Sequence, residues 1–224
     1  MRFRYYAAYL DSHRGQFSHV LWTDFVDAYF QRDPFLDFHD DARRLAQTAA
    51  PAELLVFAEH DRLPISAPGF TQGWVAGCFG NEGLERMYAA AGRREIPVLC
   101  SSNVMGEVDA ARDYLDAFLV QVDEAAANAL GCIRPLGIDQ GHHNYLIYSS
   151  MVGASARIRV AVAPYDAGPV YTAGVLAKLG VKIDRDAEGF VLRSDGHRAA
   201  LVHQFNRFPE LIDFVEALTA AVPD

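Results

Sequence analysis

Two acids stand three positions apart in "LWTDFVDAYFQRDPF", Leu21 to Phe35, directly after the short apolar run Val20–Trp22. In open α/β sheets, ligands gather where strands end. Two carboxylates on such a turn can place oxygens on one hard divalent cation. The plainer use is that Asp24 caps the next turn while Asp27 is solvated. A second cluster is "GIDQGHHNYLIYSS", where Asp139 stands at a helix start. It can cap that helix, or present itself with Gln140 and Asn144 to a polar substrate. The adjacent His142 and His143 invite a metal reading. Neighbours on a helix point about 100° apart, so they do not easily share one ion. The third candidate is His203, which ends an apolar run near the C-terminus. It suits a nitrogen ligand, and it also suits an ordinary core or boundary position.

These residues need elements to carry them. The reading predicts helices over 3–12, 40–50, 83–91, 107–129, 139–148 and 209–221. Strands are predicted over His19–Trp22, 53–59, 96–100, 157–163 and 199–203. The long helix rests on Val108, Ala111, Leu115, Phe118, Leu119 and Val122, which recur at helical spacing. Helices and strands interleave, and several strands are apolar throughout. The expected fold class is therefore α/β, a mixed, mainly parallel sheet flanked by helices, in a single domain over 1–224.

Composition narrows the function classes. The chain has 224 residues, 51% apolar, and a net charge of -9. No apolar run approaches the roughly 18 residues of a membrane span, and residues 1–16 lack the pattern of a signal peptide. The acidic balance without a basic run argues against nucleic acid as the main partner. Cys78, Cys100 and Cys132 are read as reduced thiols and the location as cytoplasmic.

Taken in order, the motifs resemble a known family. "LWTDFVDAYFQRDPF", "PGFTQGWVAGCFG", "PVLCSSNVMGEVDAARDYL", "GIDQGHHNYLIY" and "DGHRAALVHQFNRFPEL" follow the sequence pattern of glycosyltransferases of the nucleotide-diphospho-sugar transferase superfamily, of GT-A type. More distantly the order is similar to glycogenin and the lipopolysaccharide galactosyltransferases. The resemblance implies a GT-A-like domain and Mn²⁺ or Mg²⁺ held by Asp24, Asp27 and His203. It implies Asp139 and Gln140 at the reacting sugar, and Thr71, Gly73, Trp74, Ser101 and Asn144 around the substrate. The implied partners are a nucleotide-sugar donor and a glycan, lipid or protein acceptor. The family pattern has a basic residue where Val26 stands and Asn where Thr71 stands. Only 23 residues precede Asp24, so much of the nucleotide-binding half is expected to be missing. A sheet edge would then be exposed, inviting a homo-oligomer. Two other classes stay open. One is a degenerate, non-catalytic remnant that binds a sugar or a partner protein. The other is a metal-dependent hydrolase, which would need further clustered ligands.

Overall fold

The chain's most continuously apolar stretch, Leu54–Ala58, forms a strand with every residue buried (β3). Its alternate side chains serve two cores. Leu54, Val56 and Ala58 pack towards one, and Leu55 and Phe57 pack towards the other. A strand covered on both faces cannot alternate polar with apolar, which is why this run is uniform.

A computed structural model describes residues 2–46, 49–67, 70–92, 95–127, 138–149 and 158–220. In chain order the elements are α1 (Arg2–Ser12), β1 (His19–Trp22), β2 (Ala28–Phe30), α2 (Phe38–Leu45), β3, α3 (Phe70–Ala90), β4 (Leu99–Glu107) and α4 (Val108–Ala127). There follow α5 (Ile138–Tyr148), β5 (Val160–Ala163), β6 (Val170–Thr172), α6 (Gly174–Leu179), β7 (Leu201–His203), a 3₁₀ turn (Phe205–Arg207) and α7 (Pro209–Ala220). The strands form two sheets, ordered β1-β4-β3-β5 and β2-β7-β6.

The first core lies between the larger sheet and α1, α4 and α5, with Phe3, Trp22, Tyr114, Leu115, Phe118 and Leu146 among its members. The second joins the opposite face of that sheet to α2 and the smaller sheet through Phe38, Phe57, Met105 and Leu201. On the smaller sheet's other side, Tyr29, Tyr171, Val202 and Leu176 pack with Leu211 of α7. A fourth cluster seats α3 on α5 through Val75, Leu84, Met87 and Tyr145.

The mixed α/β class stands, but the expectation of one mainly parallel sheet is corrected. β1–β4, β3–β4 and β2–β7 are antiparallel, and among the described residues only β3–β5 and β6–β7 run parallel. A uniformly apolar strand reports that both faces are covered, not which way its neighbours run. Other boundaries move as well. Helix α3 begins at Phe70, not 83, and is interrupted at Gly80, where φ is +69°. Glycines at 73, 77, 80 and 83 dilute its apolar periodicity. β4 continues past Cys100 through the polar run Ser101-Ser102-Asn103. The ends expected at 128–129, 157 and 221 lie outside the described residues. Cys78 is disulfide-bonded, which corrects its reading as a reduced thiol. Wide spacing along the chain does not measure spacing in the fold. Cys100 is a free, buried thiol, and Cys132 lies outside the described residues. Among the described residues no helix is long and apolar enough to cross a membrane.

Candidate functional site

The segment Thr23–Asp27 is the crossing between the two sheets. Asp24 follows the last residue pair of β1 with β4, Trp22 opposite Val104. Asp27 precedes β2, whose Ala28 lies opposite His203. The backbone N–H of Gln204 donates to the carbonyl of Asp27 at 2.6 Å and fixes that junction. Gln204 itself has φ +59°, a left-handed conformation that a non-glycine residue rarely adopts. Between the acids, Phe25 and Val26 project outward, 94% and 84% exposed.

The third contributor is an irregularity in β4. Val56 of β3 faces Val104, whereas Ala58 faces Leu99. Two steps along β3 are thus matched by five along β4, and residues 100–103 leave the ladder. Such bulges re-aim side chains. Here the excursion turns Ser102 and Asn103 towards the crossing. The Ser102 hydroxyl donates to Asp24 Oδ2. Thr23 Oγ1 donates to Asn103 Oδ1 at 2.7 Å, and Asn103 Nδ2 lies 2.9 Å from His203 Nδ1. Cys100 Sγ lies 3.6 Å from the same ring nitrogen.

At the centre, one ligand atom each of Asp24, Asp27 and His203 lies within 4.8 Å of the others. His203 Nε2 is 3.4 Å from Asp27 Oδ1 and 3.8 Å from Asp24 Oδ2. Both Asp27 Oδ1 and His203 Nε2 are buried and lack a hydrogen-bond partner among the described residues. Two orphaned polar atoms converge there, and a cation would satisfy both. Two carboxylates and a neutral imidazole carry two negative charges, which suits a divalent ion of the Mn²⁺ or Mg²⁺ kind.

Without an ion, the imidazole carries a proton in its place. Burial opposes that charge, but the Cys100 sulfur and the two carboxylates outweigh it and push the His203 pKa up to about 12. The His203 contact in turn holds Asp24 well below the usual carboxylate range, against burial, with help from Ser102 and Arg2.

The first turn of α5 adjoins this centre. Arg2 of α1 donates both to Asp24 Oδ1 and to Asp139 Oδ2, the latter at 2.5 Å. Gln140 Nε2 donates to Glu59 Oε1 at 3.1 Å. Glu59 follows β3, and burial raises its pKa, with the Gln140 hydrogen bond opposing. Gly141 backs onto α3, since a Cβ there would stand 3.0 Å from Trp74 Cβ. Thr71, Gly73 and Trp74 lie in the first turns of α3. Thr71 is buried, Trp74 half-buried and Gly73 exposed.

Of the residues singled out by sequence, Asp24, Asp27 and His203 meet, and Asp139 is linked to Asp24 through Arg2. Asn144 is fully buried and bonds both the N–H and C=O of Leu99, which ties α5 to β4. Ser101 is also buried, and the contact with Asp24 comes from its neighbour Ser102. His142 and His143 are core residues. Their Nδ1 atoms meet Gln121 Nε2 at 2.9 Å and the Tyr114 hydroxyl at 2.6 Å. Sequence reasoning missed Arg2, Glu59, Ser102 and Asn103. Only Glu59 carried a signal, an acid ending an apolar strand as Asp24 does.

No protein-family model matches the chain, and no curated protein matches it.

Proposed function

We propose that this protein is a metal-dependent glycosyltransferase of GT-A type, which moves a sugar from a nucleotide-diphosphate donor to an acceptor. The supporting observation is the convergence of Asp24, Asp27 and His203. They come from the end of β1, the start of β2 and the end of β7, and the pairing of β2 with β7 brings the late histidine to the two early acids. These three residues would hold Mn²⁺ or Mg²⁺, and the ion would offset the charge of a diphosphate leaving group. The chain's own groups do the rest. Asp139, half-exposed at the start of α5, is available to sugar hydroxyls or to positive charge at the anomeric carbon. Gln140 is oriented by its bond to Glu59. Trp74, beside Gly141, supplies an apolar wall of the kind sugars pack against.

The test is a thermal-shift panel of nucleoside diphosphates with and without Mn²⁺, on the wild type and Asp27→Ala. A ligand at about 100 times its Kd adds ~2.7 kcal/mol, which raises Tm by roughly 5–10 °C for a chain of this size. The expected result is a Mn²⁺-dependent rise with at least one nucleotide, lost in Asp27→Ala. A folded wild type that shifts with no nucleotide would refute the reading. The exposed pair Phe25 and Val26 favours one other reading, a non-catalytic domain that binds a sugar or a protein. It predicts that null panel.

A further inference from the structure

The acids of the site are joined by a residue from outside it. Arg2 lies in the first turn of α1. Its guanidinium donates to Asp24 Oδ1 with one nitrogen and to Asp139 Oδ2 with the other. Ser102 Oγ lies 3.4 Å from the second nitrogen. Asp24 thus uses its two oxygens differently. Oδ1 is turned to Arg2, while Oδ2 accepts from Ser102 and faces His203 Nε2. Oδ2 thus faces the candidate metal centre, with a fixed cation on the carboxylate's far side. No other lysine or arginine among the described residues forms an ion pair with Asp24, Asp27 or Asp139. The Arg2 side chain keeps 31% of its surface exposed, so a bound molecule can reach it.

We infer that Arg2 is a phosphate-binding residue, which meets the diphosphate of the donor beside the metal. The inference rests on the function proposed above. Its physical basis is the match between the guanidinium fork and its present partners. Two anionic oxygens on separate groups, which Arg2 now spans, are what a diphosphate offers. The charge balance points the same way. Breaking the glycosidic bond leaves the diphosphate with one more negative charge than it had in the donor. A divalent ion alone leaves part of that charge unmatched, and a monocation beside it meets the remainder. The turn between the acids contributes only Phe25 and Val26, so the cation arrives from α1 instead.

Two titrations separate this role from a structural one. Mn²⁺ alone, and then inorganic pyrophosphate at saturating Mn²⁺, are titrated calorimetrically into wild type and Arg2→Met. The expected result is pyrophosphate binding weakened at least tenfold in Arg2→Met, with Mn²⁺ alone bound equally or more tightly because a repelling cation has gone. Unchanged pyrophosphate binding would overturn the inference. So would a parallel loss of Mn²⁺ and pyrophosphate, since Arg2 would then only hold Asp24 in place. If Arg2→Met does not fold, Arg2→Lys keeps the charge but loses the fork. It should weaken pyrophosphate at least threefold at unchanged Mn²⁺ affinity, and no weakening overturns the inference. A wild type that binds neither Mn²⁺ nor its pyrophosphate complex would bring down the metal reading itself. A wild type that binds both, with an indifferent Arg2→Met, brings down this inference alone.

Discussion

Three polar groups depend on the side chain of Asn103. It accepts from the Thr23 hydroxyl, and its Nδ2 lies 2.9 Å from His203 Nδ1 and 3.4 Å from Cys100 Sγ. Asn103, His203 and Cys100 are all buried. Truncation would leave an imidazole nitrogen without its partner where water does not readily reach. A buried group left unpaired costs roughly 1–3 kcal/mol, and a cavity adds to it. Asn103→Ala is therefore expected to lower unfolding free energy by about 2–4 kcal/mol, read as a lower urea midpoint at unchanged slope. The residue also marks how far side-chain chemistry is legible in a sequence. Asp24, Asp27 and His203 stand out because their types imply chemistry. Asn103 and Ser102 are common residues, and only the excursion of β4 gives them their task. Nothing in "CSSNVMG" says where its pairing with β3 breaks.

Among the elements, α3 and α5 hold the first turn of α5 against the site, and their closeness depends on one glycine. A Cβ on Gly141 would stand 3.0 Å from Trp74 Cβ and 3.1–3.2 Å from Trp74 backbone atoms. Backbone cannot swing away as a side-chain tip can, so α3 would have to shift. Gly77, in the same α3 helix, is exposed and has nothing within 4 Å of its would-be Cβ. Alanine is favoured over glycine in a helix by about 1 kcal/mol. Gly77→Ala should thus raise stability by up to about 1 kcal/mol. Gly141→Ala gains the same helix term and loses more to overpacking, which costs roughly 1–3 kcal/mol. A urea midpoint that rises for both would refute the close approach. Glycines also explain why the sequence under-reads α3. Those of α3, at 73, 77, 80 and 83, erase the periodicity by which a helix is recognised, and Gly80 breaks the helix itself. The three-residue strands β2 and β6 are too short to show alternation at all. By contrast α1, α4, α5 and α7 lie close to where the sequence reading puts them, and α4 carries a long apolar stripe.

Across the whole molecule, three buried histidines tilt stability in opposite directions with pH. Burial lowers the pKa of His142 to about 4 and that of His143 to about 3, the latter also disfavoured by Arg2. In the unfolded chain both titrate near 6.5. Between 6.5 and those lower values the unfolded chain binds more protons, so stability falls as pH falls. Each ring contributes up to ~1.4 kcal/mol per pH unit. His19 and His60, also lowered by burial, lean the same way. Glu59, raised by burial, leans the other way above pH 4.5 but by at most one proton, so the rings prevail. His203 has the opposite sign. With its pKa pushed up to about 12 in the metal-free protein, its stabilisation is complete below 6.5 and is lost as pH rises beyond it. The metal-free protein should therefore be most stable near pH 6.5, with urea midpoints falling on both sides between pH 4.5 and 9. The two limbs separate by substitution. Asp27→Asn removes one carboxylate from His203 and should flatten the alkaline limb while leaving the acid limb in place. His143→Gln should make the acid limb shallower and spare the alkaline one. An alkaline limb indifferent to Asp27→Asn would mean that the His203 proton is not held by Asp27, and Asp27 could not then be expected to hold a metal ion in its place.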